Sequence, residues 1–233
     1  MATNRFATNP GLPLVAPIGL AAQASISIET MKSLISLLML LTILIPQLLA
    51  GEYNPTVSVG EVLASWSDLP GIDGETHSWN DLKDKKAVIV AFTCNTCPYA
   101  VEYETRLKQL ATKWAKDERV ALVAVNSNLV EEDSLEAMQE KGKAAQFDFP
   151  YFKDEKQELG KAWGATRTPE FFVLDRERKV VYMGALDDDT NAEKATRNYV
   201  NEAVEAILAG KKPEVQETVP IGCNIRYKRS RRR

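Results

Sequence analysis

The sequence predicts an α/β domain with a mixed central sheet flanked by helices. Two continuous uncharged runs, Ala87–Phe92 and residues 120–125, are typical of strands that are buried on both faces. An amphipathic helical pattern follows each run, over residues 98–116 and 133–145. Because uncharged strands alternate with helices along the chain, we expect helices to pack on both sides of one sheet.

The composition is that of an ordinary globular domain. The chain has 233 residues and a formal net charge of −3, which favours one domain of roughly 150–180 residues with tails. The small net charge gives no reason to expect nucleic-acid binding. We expect the domain to span residues 51–212 and a tail to span residues 213–233.

Residues 31–50 have the anatomy of a secretory signal peptide. Lys32 precedes an apolar run that ends at the small residue Ala50, directly before a polar segment. We therefore expect an exported protein, either periplasmic or secreted. Leu48 is not the small residue that a signal peptidase prefers, so an uncleaved membrane anchor is the alternative. Residues 1–30 carry no clear pattern, and we interpret them as an over-extended start or a disordered extension.

An N-terminal hairpin is predicted before the first long strand. Gly71 and Gly74 supply turn residues, and residues 75–79 resume a short strand-like pattern. His77, the only histidine of the chain, lies in this hairpin. No partner cysteine or acid stands at a motif spacing from it. We therefore interpret His77 as a surface or packing residue without a catalytic role.

Cys94 and Cys97 form a C-x-x-C motif where the strand Ala87–Phe92 meets the following helix. Pro98 is tolerated in the first turn, where its missing N–H costs no hydrogen bond. Unpaired backbone N–H groups and the helix dipole stabilise a thiolate at a helix N-terminus, so we expect a lowered pKa for Cys94. A C-x-x-C motif in this setting is typical of a redox-active dithiol.

Three other interpretations of the two cysteines were compared with the redox dithiol. A structural zinc site needs four ligands, and the chain offers only Cys223 and His77 besides Cys94 and Cys97. A structural disulfide at this spacing closes a very short loop and stabilises little. Two thiols that merely pack in the core are the third alternative. The redox-active dithiol is the favoured interpretation.

Shorter elements are predicted after the second strand. Asp133 and Glu136 match a capping box that opens a helix ending near Ala145. Residues 149–152 form a short extended piece, and residues 157–163 form a brief helix.

The last part of the domain is predicted to be a β-hairpin followed by a helix. Thr168 and Pro169 stand directly before a strand over residues 171–174, and a second strand covers residues 179–183. A final helix is predicted over residues 191–209, because glycine and proline follow it as stop signals.

These motifs together resemble the thioredoxin fold. The resemblance rests on the C-x-x-C motif at a strand-to-helix junction and on Thr168-Pro169 before the last hairpin and helix. It covers residues 57–209. The N-terminal hairpin and the inserted helix are similar to the redoxin branch, which contains peroxiredoxins and exported thioredoxin-like thiol reductases. The resemblance implies a thioredoxin-like fold with a mixed central sheet.

The resemblance also implies residue roles. Cys94 is expected to be the attacking cysteine and Cys97 the resolving one. Pro169 is similar to the cis-proline that lies against the disulfide in this fold, and a cis X–Pro bond is rare enough to be a checkable expectation. Thr168 is expected to offer its backbone groups to an extended substrate chain.

The motif departs from the family pattern at the proton acceptor. Val88 and Ala100 occupy the two positions at which related proteins carry a buried acid, and Asn95-Thr96 replaces Gly-Pro between the cysteines. No proton acceptor for the resolving cysteine can therefore be named from the sequence. Glu102 and Glu104 are interpreted as solvated helix charges.

The favoured function is thiol–disulfide exchange through Cys94 and Cys97, without a cofactor or a metal. The expected partners are disulfides and thiols of proteins or small molecules, together with a further redox partner. We expect the protein to be a monomer. Any membrane contact would come from the N-terminal segment. A peroxiredoxin-like peroxidase, with an antioxidant function, is one alternative, although no proline lies four residues before Thr93 and that threonine directly precedes Cys94. A non-enzymatic binding module, such as a copper chaperone, is another.

The tail contains the third cysteine and a basic terminus. Cys223 is interpreted as a small residue that packs the tail onto the domain, with an intermolecular or regulatory thiol as the alternative. Residues 228–233 are rich in arginine, and we interpret them as a solvated segment that could also contact anionic lipid or an acidic partner.

Overall fold

The computed structural model describes residues 51–228. The expected signal peptide or anchor over residues 31–50, the preceding residues 1–30 and the terminal residues 229–233 lie outside the described residues. The strands are β1 (Leu69–Pro70), β2 (Thr76–His77), β3 (Ala87–Phe92), β4 (Val120–Asn126), β5 (Tyr151–Lys153), β6 (Arg167–Thr168), β7 (Glu170–Asp175), β8 (Val180–Gly184) and β9 (Cys223–Asn224). The helices are α1 (Pro98–Trp114), α2 (Leu135–Ala145), α3 (Glu158–Ala162) and α4 (Tyr199–Leu208), with 3-10 turns at Trp79–Leu82 and Glu131–Asp133.

The central sheet is mixed and has five strands in the order β5-β4-β3-β7-β8. Strand β3 is parallel to β4 and antiparallel to β7. All six residues of β3 are buried, since the strand has a neighbour on each side and is covered on both faces. The expected α/β fold with a mixed sheet is confirmed.

The two faces of β3 belong to two different core clusters. Ala87, Ile89 and Ala91 pack with apolar residues of α1 and α4. The alternate residues of the strand pack instead with Trp163 and with Leu63 and Trp66, which precede β1. Successive side chains of a strand point to opposite faces, so an uncharged six-residue run is what a strand between two cores requires.

The predicted N-terminal hairpin is confirmed as the antiparallel pair β1–β2. His77 stacks on Phe152 with ring centroids 4.6 Å apart, and its Nε2 lies 3.0 Å from Oδ2 of Asp73. The stacking agrees with the interpretation of His77 as a packing residue, but Asp73 is an acid partner that the sequence did not indicate.

Two predicted helix starts are wrong, each because a side chain forms a different hydrogen bond. Helix α2 begins at Leu135, and its N-cap is Ser134, whose hydroxyl accepts from the N–H of Ala137. Asp133 is not the cap, because its carboxylate is used elsewhere. Helix α4 begins eight residues later than predicted, and the carboxylate of Asp188 holds part of the intervening loop by accepting from backbone N–H groups.

The tail packs back onto the domain. Thr218 accepts from the N–H of Ala185 at 2.9 Å, and Ile225 is buried in the core. Strand β9 then pairs antiparallel with β6, in a register that sets Cys223 opposite Thr168. Among residues 51–228, no helix is both long enough and apolar enough to cross a membrane.

Candidate redox site

The C-x-x-C motif lies in the loop between β3 and α1, as predicted. Cys97 is the N-cap residue of α1 and Pro98 is its first residue. Cys94 and Cys97 are both free thiols, 4% and 3% exposed, and they form a small buried cluster with Ala100. Helix α1 therefore begins directly behind Cys97 rather than at Cys94.

Three hydrogen-bonding groups lie around the sulfur of Cys94. The Cys97 N–H lies 3.3 Å away and donates to it, the Thr168 hydroxyl lies at 3.2 Å, and the Thr96 hydroxyl lies at 3.9 Å. Burial nevertheless raises the pKa of the Cys94 thiol, and the nearby charge of Asp133 raises it further, against these hydrogen bonds. The expectation of a lowered pKa for Cys94 is wrong, because burial outweighs the hydrogen bonds in the reduced protein.

The sulfur of Cys97 has a different set of partners. Its thiol donates to the backbone oxygen of Thr168 at 3.0 Å, and the N–H of Cys223 donates to it at 3.4 Å. Burial opposes the thiolate here too, but hydrogen bonds from the Cys223 side chain and from the Ala100 and Cys223 N–H groups lower the pKa of Cys97. Stabilisation by the helix N-terminus therefore falls on Cys97.

Thr168 contacts both cysteines. Its hydroxyl lies beside Cys94 and its carbonyl oxygen accepts from Cys97, and the Thr168–Pro169 peptide bond is cis. The cis bond agrees with the expectation for Pro169. The backbone of Thr168, expected to be available to a substrate chain, is already paired with Cys223 of β9. A Cβ on Gly222 would lie 2.1 Å from the Thr168 oxygen, so only glycine permits this close approach.

Asp133 is a buried carboxylate directly behind the motif. It is fully buried, and its oxygens accept from the Asn95 N–H at 2.6 Å, the Thr96 hydroxyl at 2.8 Å and the Asn126 amide at 3.0 Å. The first two of these hydrogen bonds fix Asn95 and Thr96, the two residues that separate Cys94 from Cys97. Through Thr96, the carboxylate is also linked by hydrogen bonds to the sulfur of Cys94.

A cationic side chain lies on the far side of this carboxylate. Lys153 Nζ donates to the backbone oxygens of Asp133 and Asn128. Burial lowers the pKa of Lys153, while the charges of neighbouring carboxylates act in the opposite direction. The loop that carries Asp133 is therefore held by its backbone from one side and by its carboxylate from the other.

A second buried carboxylate supports the cis-proline loop. Glu170 follows Pro169 and is 3% exposed. It accepts from the Thr166 N–H at 2.7 Å and from the Arg167 N–H at 2.9 Å. Burial raises its pKa from 4.5 to about 7, against the effect of these hydrogen bonds.

A cleft of about 570 Å³ opens beside the buried cysteines. It is lined by Thr96, Cys97 and Cys223, and by Val130 and Arg226 from two neighbouring segments. Cys94 does not line it. The cleft provides an approach to Cys97 from the side on which β9 lies.

The family of the chain follows from this fold and from a match over most of its length. A family model described as Redoxin matches residues 49–201. The chain belongs to the redoxin family. Membership in this family, together with the thioredoxin-like fold, supports a redox role and thus an oxidoreductase. None of the curated proteins matches the sequence.

Solved structures resemble this redoxin over most of their own length. A hypothetical protein from Sinorhizobium meliloti 1021 is 35% identical, with a TM-score of 0.69 over 76% of this chain and 98% of that one. An uncharacterized conserved protein from Geobacillus kaustophilus is 35% identical, with a TM-score of 0.68 over 74% and 93% of the two chains. Peroxidoxin BcpB from Mycobacterium tuberculosis is 19% identical, with a TM-score of 0.50 over 65% and 96%, which shows the fold alone.

The structure brings together the four residues expected at the site, Cys94, Cys97, Thr168 and Pro169. It adds three that sequence reasoning did not assign to the site: Asp133, Glu170 and Cys223. Among residues 51–228, no group of three or more His, Cys, Asp or Glu side chains could hold a metal ion. Glu102 is exposed, which agrees with its interpretation as a solvated charge, whereas Glu104 is only 21% exposed and pairs with Lys141 at 2.6 Å.

Position along the chain could have indicated only Asp133. Strands β3 and β4 are parallel, so the segments after their carboxyl ends meet at one edge of the sheet. Asp133 follows β4 and the C-x-x-C motif follows β3. Glu170 and Cys223 carry no such signal in the sequence.

Proposed function

We propose that this redoxin is a thiol–disulfide oxidoreductase whose Cys94–Cys97 pair cycles between a dithiol and a disulfide. One observation carries the proposal: a single residue, Thr168, is hydrogen-bonded to both sulfurs. Its hydroxyl lies 3.2 Å from the sulfur of Cys94, and its carbonyl oxygen lies 3.0 Å from the sulfur of Cys97. The two thiols are thus held against the same residue, beside a cis-proline. This arrangement brings them close enough to react in turn with one substrate.

The first step is attack on a disulfide of a protein or a small molecule. The Cys94 thiolate attacks one substrate sulfur, the substrate S–S bond breaks, and the other substrate sulfur leaves with the electron pair and takes up a proton. The Cys97 N–H and the Thr168 hydroxyl stabilise the attacking thiolate. These donors increase the fraction of Cys94 that is present as thiolate.

The second step resolves the mixed disulfide. Cys97 loses its proton and attacks the sulfur of Cys94, and the remaining substrate sulfur leaves as a thiolate. The protein ends with a Cys94–Cys97 disulfide and has transferred two electrons to the substrate. The lowered pKa of Cys97 increases the thiolate fraction available for this step.

Asp133 is the candidate proton acceptor for the motif. Its carboxylate accepts from the Thr96 hydroxyl, which in turn lies 3.9 Å from the Cys94 sulfur. A proton can therefore pass between Cys94 and Asp133 through one hydroxyl. This path serves Cys94, whereas the acceptor that the sequence left unnamed is the one for Cys97.

A stopped-flow comparison tests the proposal against a peroxidase. Reduced protein comprising residues 51–233 is mixed with a peptide disulfide and, separately, with hydrogen peroxide, and alkylation followed by mass analysis locates the oxidised cysteines. Fast oxidation by the disulfide and slow oxidation by peroxide would support the exchange reaction. Fast oxidation by peroxide, with Cys94 sulfenic acid accumulating in Cys97→Ala, would reject it in favour of a peroxidase.

The proposed reaction takes place outside the cytoplasm, because residues 31–50 are predicted to form a signal peptide. N-terminal sequencing of the protein isolated from its native host tests this. A mature chain that begins at or close to Gly51 is expected, and a chain that retains residues 1–30 would contradict both the export and the proposed start site.

A further inference from the structure

Cys223 is 126 positions from Cys97 along the chain, yet it lies at the redox site. Strand β9 pairs with β6, so that Cys223 stands opposite Thr168, the residue that contacts both motif cysteines. The Cys223 N–H donates to the sulfur of Cys97 at 3.4 Å. Gly222 permits this approach, because any side chain there would collide with the Thr168 carbonyl.

The thiol of Cys223 also faces the thiol of Cys97. Cys223 packs against the buried cluster of Cys94, Cys97 and Ala100. Burial and the neighbouring Cys97 side chain raise the pKa of Cys223 to about 11. The thiols of Cys97 and Cys223 therefore lie together at the start of α1. This contact places two free thiols next to each other, so Cys223 does more than pack the tail onto the domain.

Cys223 is the most exposed of the three thiols. It is partly exposed, whereas Cys94 and Cys97 are buried, and it lines the cleft together with Cys97. The buried pair thus has a third thiol between it and solvent on the cleft side.

We propose that Cys223 is a third redox cysteine, which exchanges with the Cys94–Cys97 disulfide to form a Cys97–Cys223 disulfide and a free Cys94 thiol. The inference rests on the proposed function, which supplies the first disulfide. Cys223 loses its proton to solvent, and its thiolate attacks the sulfur of Cys97. The Cys94–Cys97 bond breaks, and Cys94 leaves with the electron pair and takes up a proton. The protein carries one disulfide before and after, so no further oxidant is needed.

The exchange has two consequences for the site. It returns Cys94 as a thiol while the protein still holds one disulfide. It also ties β9 covalently to the start of α1, which fixes the strand over the backbone edge of Thr168. A substrate chain can pair with that edge only when this disulfide is absent and β9 moves away.

Disulfide mapping of the oxidised wild-type protein tests the inference without a variant. The reduced protein is equilibrated in glutathione buffers, free thiols are blocked with acid quenching and alkylation, and linked peptides are identified by mass spectrometry. We expect two populations, one with Cys94–Cys97 linked and one with Cys97–Cys223 linked and Cys94 alkylated. Oxidised protein in which Cys223 alone is always alkylated would overturn the inference and leave the proposed function intact.

Two matched variants test the pairing directly. In Cys94→Ala we expect a Cys97–Cys223 disulfide with an equilibrium constant at least tenfold larger than that for any protein disulfide in Cys97→Ala, because the Cys223 N–H donates to the sulfur of Cys97 and not to that of Cys94. Equal constants in the two variants would overturn the inference. A wild-type protein that forms mixed disulfides with glutathione but no internal disulfide would overturn both this inference and the proposed function.

Discussion

Glu170 gives a prediction whose magnitude follows from its environment. Its carboxyl group is buried directly after the cis-proline, and burial raises its pKa from 4.5 to about 7. A raised pKa means that the folded protein binds this proton more tightly than the unfolded chain. The favourable contribution is therefore complete below about pH 4.5 and is lost as the pH rises through about 7.

We expect the substitution Glu170→Gln to remove this pH dependence. A shift from 4.5 to about 7 corresponds to about 3 kcal/mol of unfolding free energy, at about 1.4 kcal/mol per pKa unit. The amide resembles the protonated carboxyl and can still accept from Thr166 and Arg167. Relative to Glu170→Gln, the wild-type protein should lose about 3 kcal/mol between about pH 4.5 and pH 8.

Urea denaturation in a reducing buffer at a series of pH values measures this difference. Glu177→Gln is the matched control, because Glu177 is exposed and lies in the turn between β7 and β8. The control should follow the wild-type curve. If the curves of the wild type and Glu170→Gln run parallel over the whole pH range, then the pKa of Glu170 is the same in the folded and the unfolded protein, and the argument from burial is wrong.

Three further substitutions test the site and the core. Thr168→Val removes the hydroxyl beside Cys94 and should raise the pKa of that thiol. The pH dependence of the Cys94 alkylation rate measures this shift. An unchanged pH profile would mean that the Thr168 hydroxyl does not affect the pKa of Cys94. Asp133→Asn removes the negative charge that raises the pKa of Cys94, so the same profile should shift to lower pH. A shift to higher pH would mean that the bonds to Asn95 and Thr96 matter more than the charge. Met138→Ala, at a fully buried position, should cost about 2–5 kcal/mol in urea denaturation, whereas Glu140→Ala on the exposed face of the same helix should cost less than about 1 kcal/mol.

Local sequence patterns were sufficient to predict most of the secondary structure around the site. The uncharged run Ala87–Phe92 and the helical pattern after Pro98 place the C-x-x-C motif at a strand-to-helix junction, and the structure has it there. The turn glycines before β2 were also predicted correctly. Each of these features is encoded within a few neighbouring residues by the periodicities of strands and helices, so it can be recognised without knowing the rest of the fold.

Errors arose where a side chain had two possible partners. Asp133 matches a helix cap in the sequence, yet its carboxylate bonds to Asn95 and Thr96, and Ser134 takes the cap. Similarly, the expected pKa of Cys94 was based on the helix N-terminus alone. Burial, which depends on everything that packs around the thiol, reverses the direction of the shift.

Sequence patterns by themselves determined the α/β architecture and the position of the Cys94–Cys97 pair, and the resemblance to the thioredoxin fold supplied the cis-proline candidate. Only the tertiary structure decided that Cys223, Asp133 and Glu170 belong to the same site. The physical reason is that their contacts depend on which strands are neighbours and in which register they pair. The β6–β9 pairing that brings Cys223 to Cys97 consists of two residues on each strand, too few to produce a periodic pattern, and it forms only once the sheet has placed Thr168 beside the C-x-x-C motif.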